Sequence, residues 1–410
     1  MLFKVGVLVL LCGFAASFQY EGYKVYNIQP RTSLEADFLH EISNQPGFDG
    51  LHVSRLLDRP AQIMVAPEQQ GDFESLLLQR GMTYEITVPD VAQKLEEDGI
   101  TSQSFRTRGA RIGFTAFYRH SAINDYLDEL ASSYSKYVSV ETVGQSYEGR
   151  TMKVIRITNG DGNPNKKVIF VDAGIHAREW IAPAGALYII NQLVENRAAN
   201  ADLLKNFDWV VLPVVNPDGY EYTHTSSRMW RKTRSKGKSC YGTDGNRNFD
   251  YYWGYTGASS SECSDTYMGT KAFSEVETQV VRSILQSLKG KGVFYLTLHS
   301  YGNYILYPWG WTSNLPDTYK DLDEVASAGA SAIKSATGGK FTYGSSTRVL
   351  YAAAGGSDDY AFAMAGFPIS ITMELQGSGF DPKPAQIQGY VQEAWVGIKA
   401  MVTKVDAKYA

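Results

Sequence analysis

The spacing of apolar residues along this chain changes character twice. Residues 23–28 alternate apolar and polar, as do 61–65 and 82–88, which predicts three half-buried strands. Residues 73–80 and 91–97 carry helical spacing. Strands and helices interleave, so the region up to about residue 99 is expected to form a small α+β unit with its own core. Residues 101–111 break the pattern: they are polar and hold Arg106, Arg108 and Arg111. Beyond Phe114, strands are expected over 138–143, 152–158, 167–174, 209–215, 293–298 and 368–375, and helices over 124–134, 183–193, 275–288, 322–335 and 386–405. Near-continuous apolar strands separated by helices argue for an α/β domain, a mixed, mostly parallel sheet flanked by helices, preceded by the small α+β unit.

Composition adds limits. The 410 residues are 44% hydrophobic and 20% charged, as a folded chain with a sizeable core requires. A formal net charge of -4 gives no electrostatic reason to expect a nucleic acid or an anionic membrane as partner. At the start, Lys4 precedes an apolar run over 5–14 and the small residues Ala15, Ala16 and Ser17. This pattern predicts a secretory signal cut after Ser17, because the run is too short to span a bilayer. Cys12 would leave with it, and in an oxidising compartment Cys240 and Cys263 are expected to pair. The expected organisation is therefore a signal (1–17), a small N-terminal domain (18–108) and a large domain (109–410). The arginine-bearing stretch reads as a site for a trypsin-like protease, with a plain interdomain linker as the alternative.

Polar residues stand where the buried strands end. His176 and Glu179 follow one strand, Asn216 and Asp218 a second, His299 and Tyr301 a third, and Glu374 closes a fourth. Ligands of open α/β sheets bind outside the carboxyl ends of the strands, so these residues are expected to share one crevice. Two imidazoles and a carboxylate around an open position suit a hydrolytic metal, and a further free carboxylate suits a general base. His40 and His52, in the N-terminal unit, have no evident partners and read as ordinary structural or surface residues.

The motifs His176-Ala177-Arg178-Glu179-Trp180, Asn216-Pro217-Asp218-Gly219-Tyr220, Arg228-Met229-Trp230-Arg231, Gly245-Asn246-Arg247-Asn248-Phe249, His299-Ser300-Tyr301, Gly355-Gly356-Ser357-Asp358-Asp359 and Thr372-Met373-Glu374-Leu375 follow one another in order. In them the chain resembles the secreted zinc metallocarboxypeptidases, the family of digestive carboxypeptidases A and B. The preceding unit resembles that family's inhibitory pro-domain. The resemblance implies one Zn2+ held by His176, Glu179 and His299, with Asp244 orienting His176. It implies Glu374 as general base and Arg231 as stabiliser of the oxyanion. Arg247, Asn246 and Tyr351 would hold the substrate's terminal carboxylate, and Arg178 and Tyr301 would contact the peptide. The implied protein is a monomer acting on peptide C-termini, activated by a cut at Arg108, with Arg106 and Arg111 as alternatives.

Specificity would rest on Asp358, where the family carries an apolar residue for apolar or aromatic C-termini and Asp for Lys or Arg. A buried carboxylate without a partner favours a cationic guest. Ser346 and Gly310 are small and leave room for a long side chain. The alternative for Asp358 is a helix cap. Two departures bear on the assignment: Gly310 stands where B-type enzymes more often have Ser, and Arg348 would neutralise Asp358 if it pointed inward. The expected reading is B-like; A-like specificity, a non-catalytic peptide- or zinc-binding relative and an amino-acid deacylase are the other readings.

Overall fold

A computed structural model describes residues 20–97, 112–377, 379–380 and 382–410. The signal segment and Arg106, Arg108 and Arg111 lie outside the described residues.

The N-terminal unit runs β1 (Lys24–Ile28), α1 (Ser33–Ser43), β2 (Phe48–His52), β3 (Ala61–Val65), α2 (Gln70–Gln79), β4 (Tyr84–Val88) and α3 (Val91–Glu97). Its antiparallel sheet has the order β2-β3-β1-β4. The strand alternation puts Tyr26, Ile28, Ile63 and Val65 against Leu39, Phe73 and Leu77 of the helices. Helix α1 and strand β2 were not expected from periodicity. Thr32 starts α1 by accepting a hydrogen bond from the Glu35 amide at 3.2 Å.

The large unit begins with α4 (His120–Ser133), β5 (Val138–Gln145), β6 (Thr151–Ile157), β7 (Lys167–Ala173), α5 (Ile181–Val194), β8 (Phe207–Leu212), α6 (Pro217–Thr225) and α7 (Val276–Ser287). It continues with β9 (Gly292–Ser300), β10 (Tyr304–Tyr307), α8 (Tyr319–Thr337), β11 (Thr342–Ser345), α9 (Ser346–Val349), α10 (Ser357–Ala363), β12 (Ile369–Leu375) and α11 (Pro384–Tyr409). The eight strands are ordered β11-β10-β12-β9-β7-β8-β6-β5. The central run β12-β9-β7-β8 is parallel, whereas β6, β5 and the β10–β12 pairing are antiparallel.

Helices cover both faces. Ile169, Val171 and Ala173 of β7 face the layer that holds Leu187 and Trp395, while Val168 and Phe170 face the layer that holds Val281 and Leu285. The same alternation sorts β9 and β12: Leu296, Leu298, Ile371 and Met373 pack on the first face. Thr297, His299, Thr372 and Glu374 therefore point to the second. Register pairs Asp172 with Thr297, Thr297 with Thr372, and His299 with Glu374. One face of the sheet thus turns polar at its carboxyl end.

Strand β8 stops at Leu212, short of the expected 215, because Pro213 has no amide to give the ladder. Helix α6 was not expected, since its Gly, Tyr and Thr residues are weak helix formers. Asn216 nucleates it by accepting the Gly219 amide at 2.9 Å, with Pro217 at the first position. Gly219 fits there because a Cβ would meet the Lys232 carbonyl oxygen at 2.6 Å. Among the described residues, no helix is long and apolar enough to cross a membrane.

The first turn of α7 buries Glu277. One of its oxygens accepts the Tyr147 amide at 3.0 Å, and the other has no hydrogen-bond partner. Burial pushes its carboxyl up to about 7. A carboxyl raised on folding stabilises the native state below its unfolded value and loses that contribution as pH rises through the folded value. Glu277→Gln is expected to leave stability near pH 4 unchanged and to raise it by up to about 3 kcal/mol near pH 8. Urea unfolding at the two pH values checks this; equal effects at both would overturn it.

Candidate metal centre and active site

His176 and Glu179 lie in the turn between β7 and α5. Gly174 opens that turn with φ 68°, a left-handed conformation that glycine adopts without strain. His299 stands at the end of β9, so the register brings it beside them. His176 Nδ1 lies 2.7 Å from Glu179 Oε1, His299 Nδ1 lies 3.1 Å from Glu179 Oε2, and the two Nδ1 atoms are 3.2 Å apart. All three side chains are buried, and their candidate ligand atoms lie within 4.8 Å of one another.

The donor set fits a zinc ion. Two nitrogens bound to one tetrahedral Zn2+ are separated by about 3.3 Å, close to the spacing of the two rings. Electrostatics agree. Burial disfavours a charged His299, yet the Glu179 carboxylate outweighs it and holds the ring up to about 9. Burial would also keep Glu179 neutral, but the His176 and His299 rings hold its carboxyl below the usual range.

Around this trio, Asp244 Oδ1 faces His176 Nε2 at 3.1 Å. Asp244 caps the short turn Gly245–Arg247 by accepting the Asn246 amide at 2.9 Å. Its other oxygen receives Arg231 Nη2 at 2.9 Å, and Arg231 Nη1 lies 3.9 Å from Glu179. Burial opposes ionisation of Asp244, but the Arg231 guanidinium holds it well below the usual carboxylate range. Glu374 pairs with His299 in register and lines the same cavity. Burial pushes its carboxyl up to about 8, against the His299 and Arg231 charges, while Glu179 adds to the rise.

The cavity is about 210 Å³ and is also lined by Asn246, Arg247, Tyr301, Gly310, Ser346, Tyr351 and Asp358. Arg247 is held by the Gly257 carbonyl at 2.8 Å and the Asn246 carbonyl at 2.9 Å. Asp358 is buried in the first turn of α10. Its Oδ2 accepts the Thr372 hydroxyl at 3.1 Å and its Oδ1 the Asp359 amide at 3.0 Å. It thus lines the cavity and also bonds the helix start. Arg348 is exposed and donates to the Ser313 carbonyl at 2.8 Å, so it points away from Asp358.

Several cavity residues also touch the N-terminal unit. The Arg178 guanidinium pairs with Asp49, and its second nitrogen lies 3.0 Å from Asp49 Oδ1. Tyr301 donates to Gln62 Oε1 at 2.7 Å. The Tyr351 ring stacks on His40 at 3.7 Å between centroids. His40 and His52, for which no partner was evident, are half-buried and each has one, since His52 Nε2 lies 2.9 Å from the Tyr304 hydroxyl. Sequence reasoning missed these contacts and Asp49 because each pair is more than a hundred residues apart, with no local signal. Outside the cavity, Cys240 and Cys263 form the expected disulfide.

Comparison with known proteins agrees with the geometry. The family described as zinc carboxypeptidase matches residues 123–397, and the one described as carboxypeptidase activation peptide matches 26–98. Carboxypeptidase B of Helicoverpa zea is 40% identical over 96% of this chain and 97% of its own length. Carboxypeptidase B of Astacus astacus is 45% identical over 73% of this chain and 100% of its own. The crystal structure of carboxypeptidase A from Helicoverpa armigera superposes with a TM-score of 0.89 at 34% identity, covering 95% of this chain and 99% of that one.

Metal analysis of chain dialysed against Zn2+ is expected to find a single ion per molecule. His299→Ala is expected to weaken binding by more than about a hundredfold, since it removes a ligand itself. Unchanged affinity would exclude His299 as a ligand.

Proposed function

The chain belongs to the zinc carboxypeptidase family, with that family's activation peptide, and on this premise we propose that it is a secreted, monomeric zymogen whose active form releases C-terminal Lys or Arg. His176, Glu179 and His299 would hold Zn2+, which when bound supplies Lewis acidity for hydrolysis of the peptide bond. Glu374 takes a proton from the attacking water and returns it to the leaving amine. Its raised value lies near neutral pH, where one group can do both. Arg231 offers its guanidinium to the developing oxyanion, and Asp244 holds Arg231 and His176 in orientation. Arg247 and Asn246 grip the substrate's terminal carboxylate, which restricts cleavage to the last bond. Tyr351 assists that grip from a segment that closes over the substrate, Tyr301 contacts the peptide and Arg178 aligns it.

Asp358 carries the specificity. It is a buried carboxylate on the cavity wall, Arg348 is turned outward, Arg247 is left to the substrate's terminal carboxylate, and Gly310 and Ser346 add little bulk. A Lys or Arg side chain supplies the missing charge. Engagement of Arg178, Tyr301 and Tyr351 by the N-terminal unit supports its role as an inhibitory pro-domain. In this reading 1–17 is a secretion signal, 18–108 the pro-domain and 109–410 the enzyme, released by a trypsin-like protease at Arg108.

Trypsin-treated protein is expected to prefer peptides ending in Arg over those ending in Phe. Asp358→Ala is expected to lower kcat/KM for Arg-ended peptides by about a hundredfold or more, matching the ~3 kcal/mol that one unpaired buried charge costs. Activity on Phe-ended peptides is expected to persist. A wild type that prefers Phe would establish A-like specificity instead. Glu374→Gln is expected to lower kcat roughly 10²–10⁴-fold with zinc content unchanged; substantial turnover would remove Glu374 as the base.

A further inference from the structure

Arg247, the clamp for the substrate's terminal carboxylate, is itself aimed by a neighbouring turn. A guanidinium has N–H donors on all three nitrogens. Here Nε donates to the Gly257 carbonyl at 2.8 Å and Nη1 to the Asn246 carbonyl at 2.9 Å. Asp244 Oδ2 lies 3.9 Å from Nη1, too far for a hydrogen bond. Among the described residues, the remaining donors of Nη1 and Nη2 stay open, and that edge of the fork suits a carboxylate. Gly257 reaches Arg247 only because it has no side chain. Its φ is 62°, and a Cβ would collide with the carbonyl oxygen of Ala352, the residue after Tyr351.

The turn before Gly257 holds it there. Tyr252 has φ 48°, a left-handed value that a bulky residue rarely takes. It is 43% exposed, so it is not kept in that conformation as a core residue. Its ring instead lies flat on Trp311, 3.6 Å between centroids and 6° from parallel, while Tyr251 and Tyr255 meet it edge-on at 5.0 and 5.8 Å. Trp311 is anchored in turn, because its amide donates to Asp359 Oδ2 at 3.1 Å. The Tyr252 carbonyl accepts the Tyr255 amide at 3.0 Å, which closes the turn, and the Thr256 carbonyl accepts the Ala354 amide at 2.9 Å. Trp253 adds a tether, donating from Nε1 to the Met268 carbonyl at 3.0 Å. A strained backbone angle at an exposed position needs a compensating contact, and the flat stack supplies it. We propose that Tyr252 and Gly257 are positioning residues for Arg247: the Tyr252–Trp311 stack pins the turn, and the Gly257 carbonyl sets the guanidinium so that its open edge meets the terminal carboxylate.

This inference rests on Arg247 being the carboxylate clamp, and the experiment separates the two ideas. Trypsin-treated protein is titrated with L-arginine and with agmatine, the same molecule without its carboxylate, as competitive inhibitors; L-phenylalanine and phenethylamine form a second pair. Wild type is expected to bind the acid of its better pair about tenfold or more tightly than the amine, as a charge-assisted contact requires. Tyr252→Asn tolerates the positive φ but lacks the stack; it is expected to weaken acid binding about 3–10-fold and amine binding by less than about twofold. KM for peptides is expected to rise in parallel with little change in kcat, the mark of lost binding shared by substrate and transition state. Tyr252→Phe keeps the stack and is expected to match wild type within about twofold. Gly257→Ala is expected to lose most of the preference for the acid. Tyr252→Asn or Gly257→Ala with the wild-type preference would overturn the brace, as would equal losses for acid and amine, or Tyr252→Phe no better than the asparagine variant. Should Gly257→Ala not fold, the two Tyr252 variants decide alone. A wild type that binds acid and amine equally would overturn the clamp assignment and the brace together.

Discussion

The structure depends on how one buried carboxylate is neutralised. Glu179 sits buried in a turn, 3% exposed, where an unpaired charge is expensive. It is flanked by His176 and His299, and the same turn leads straight into α5. Around these three the chain arranges further charge in alternation: Asp244 behind His176, Arg231 against Asp244, and Glu374 near His299. Such a cluster is stable only when every member has a partner, because low dielectric magnifies both the attraction and the cost of a missing one. The sheet supplies that order. Parallel strands in register put His299 and Glu374 side by side and set Asp172, Thr297 and Thr372 one layer beneath.

The N-terminal unit uses the same crevice from outside. Its contacts combine an ion pair on Arg178, a stacked ring on Tyr351 and a hydrogen bond on Tyr301. Arg59 adds bonds to the Gly302 carbonyl and, at 2.9 Å, to the Thr342 hydroxyl. These polar, directional contacts on separate groups fix a position, and beside them Val25, Met64 and Val91 pack against Met229, Tyr301 and Phe380. Burial beside Arg247 and Arg55 pushes His40 down to about 4, so its ring stacks on Tyr351 uncharged at neutral pH.

Much of the fold was legible in the chain. Apolar strands such as 167–173 and 292–300 are buried on both faces, and their composition reveals this without any partner. The amphipathic closing helix and the α+β character of the first unit were equally local. Among the elements that periodicity missed, β10 and β11 near the sheet edge and α6 behind one asparagine cap are short, with borrowed stability. Their intrinsic propensity is weak, so only neighbours make them form.

The sequence by itself determined the candidate donor groups, because motif order and residue chemistry are properties of the chain. His176, Glu179, His299 and Glu374 stand out as polar residues where apolar strands stop. Tertiary structure alone decided which of those groups touch. The outward course of Arg348, the Asp49 pairing of Arg178 and the shared burial of Asp172 with Thr297 follow from strand register and rotamer, and neither is written into local composition. The physical reason is range: propensity acts over a few residues, whereas pairing across a sheet joins residues more than a hundred positions apart.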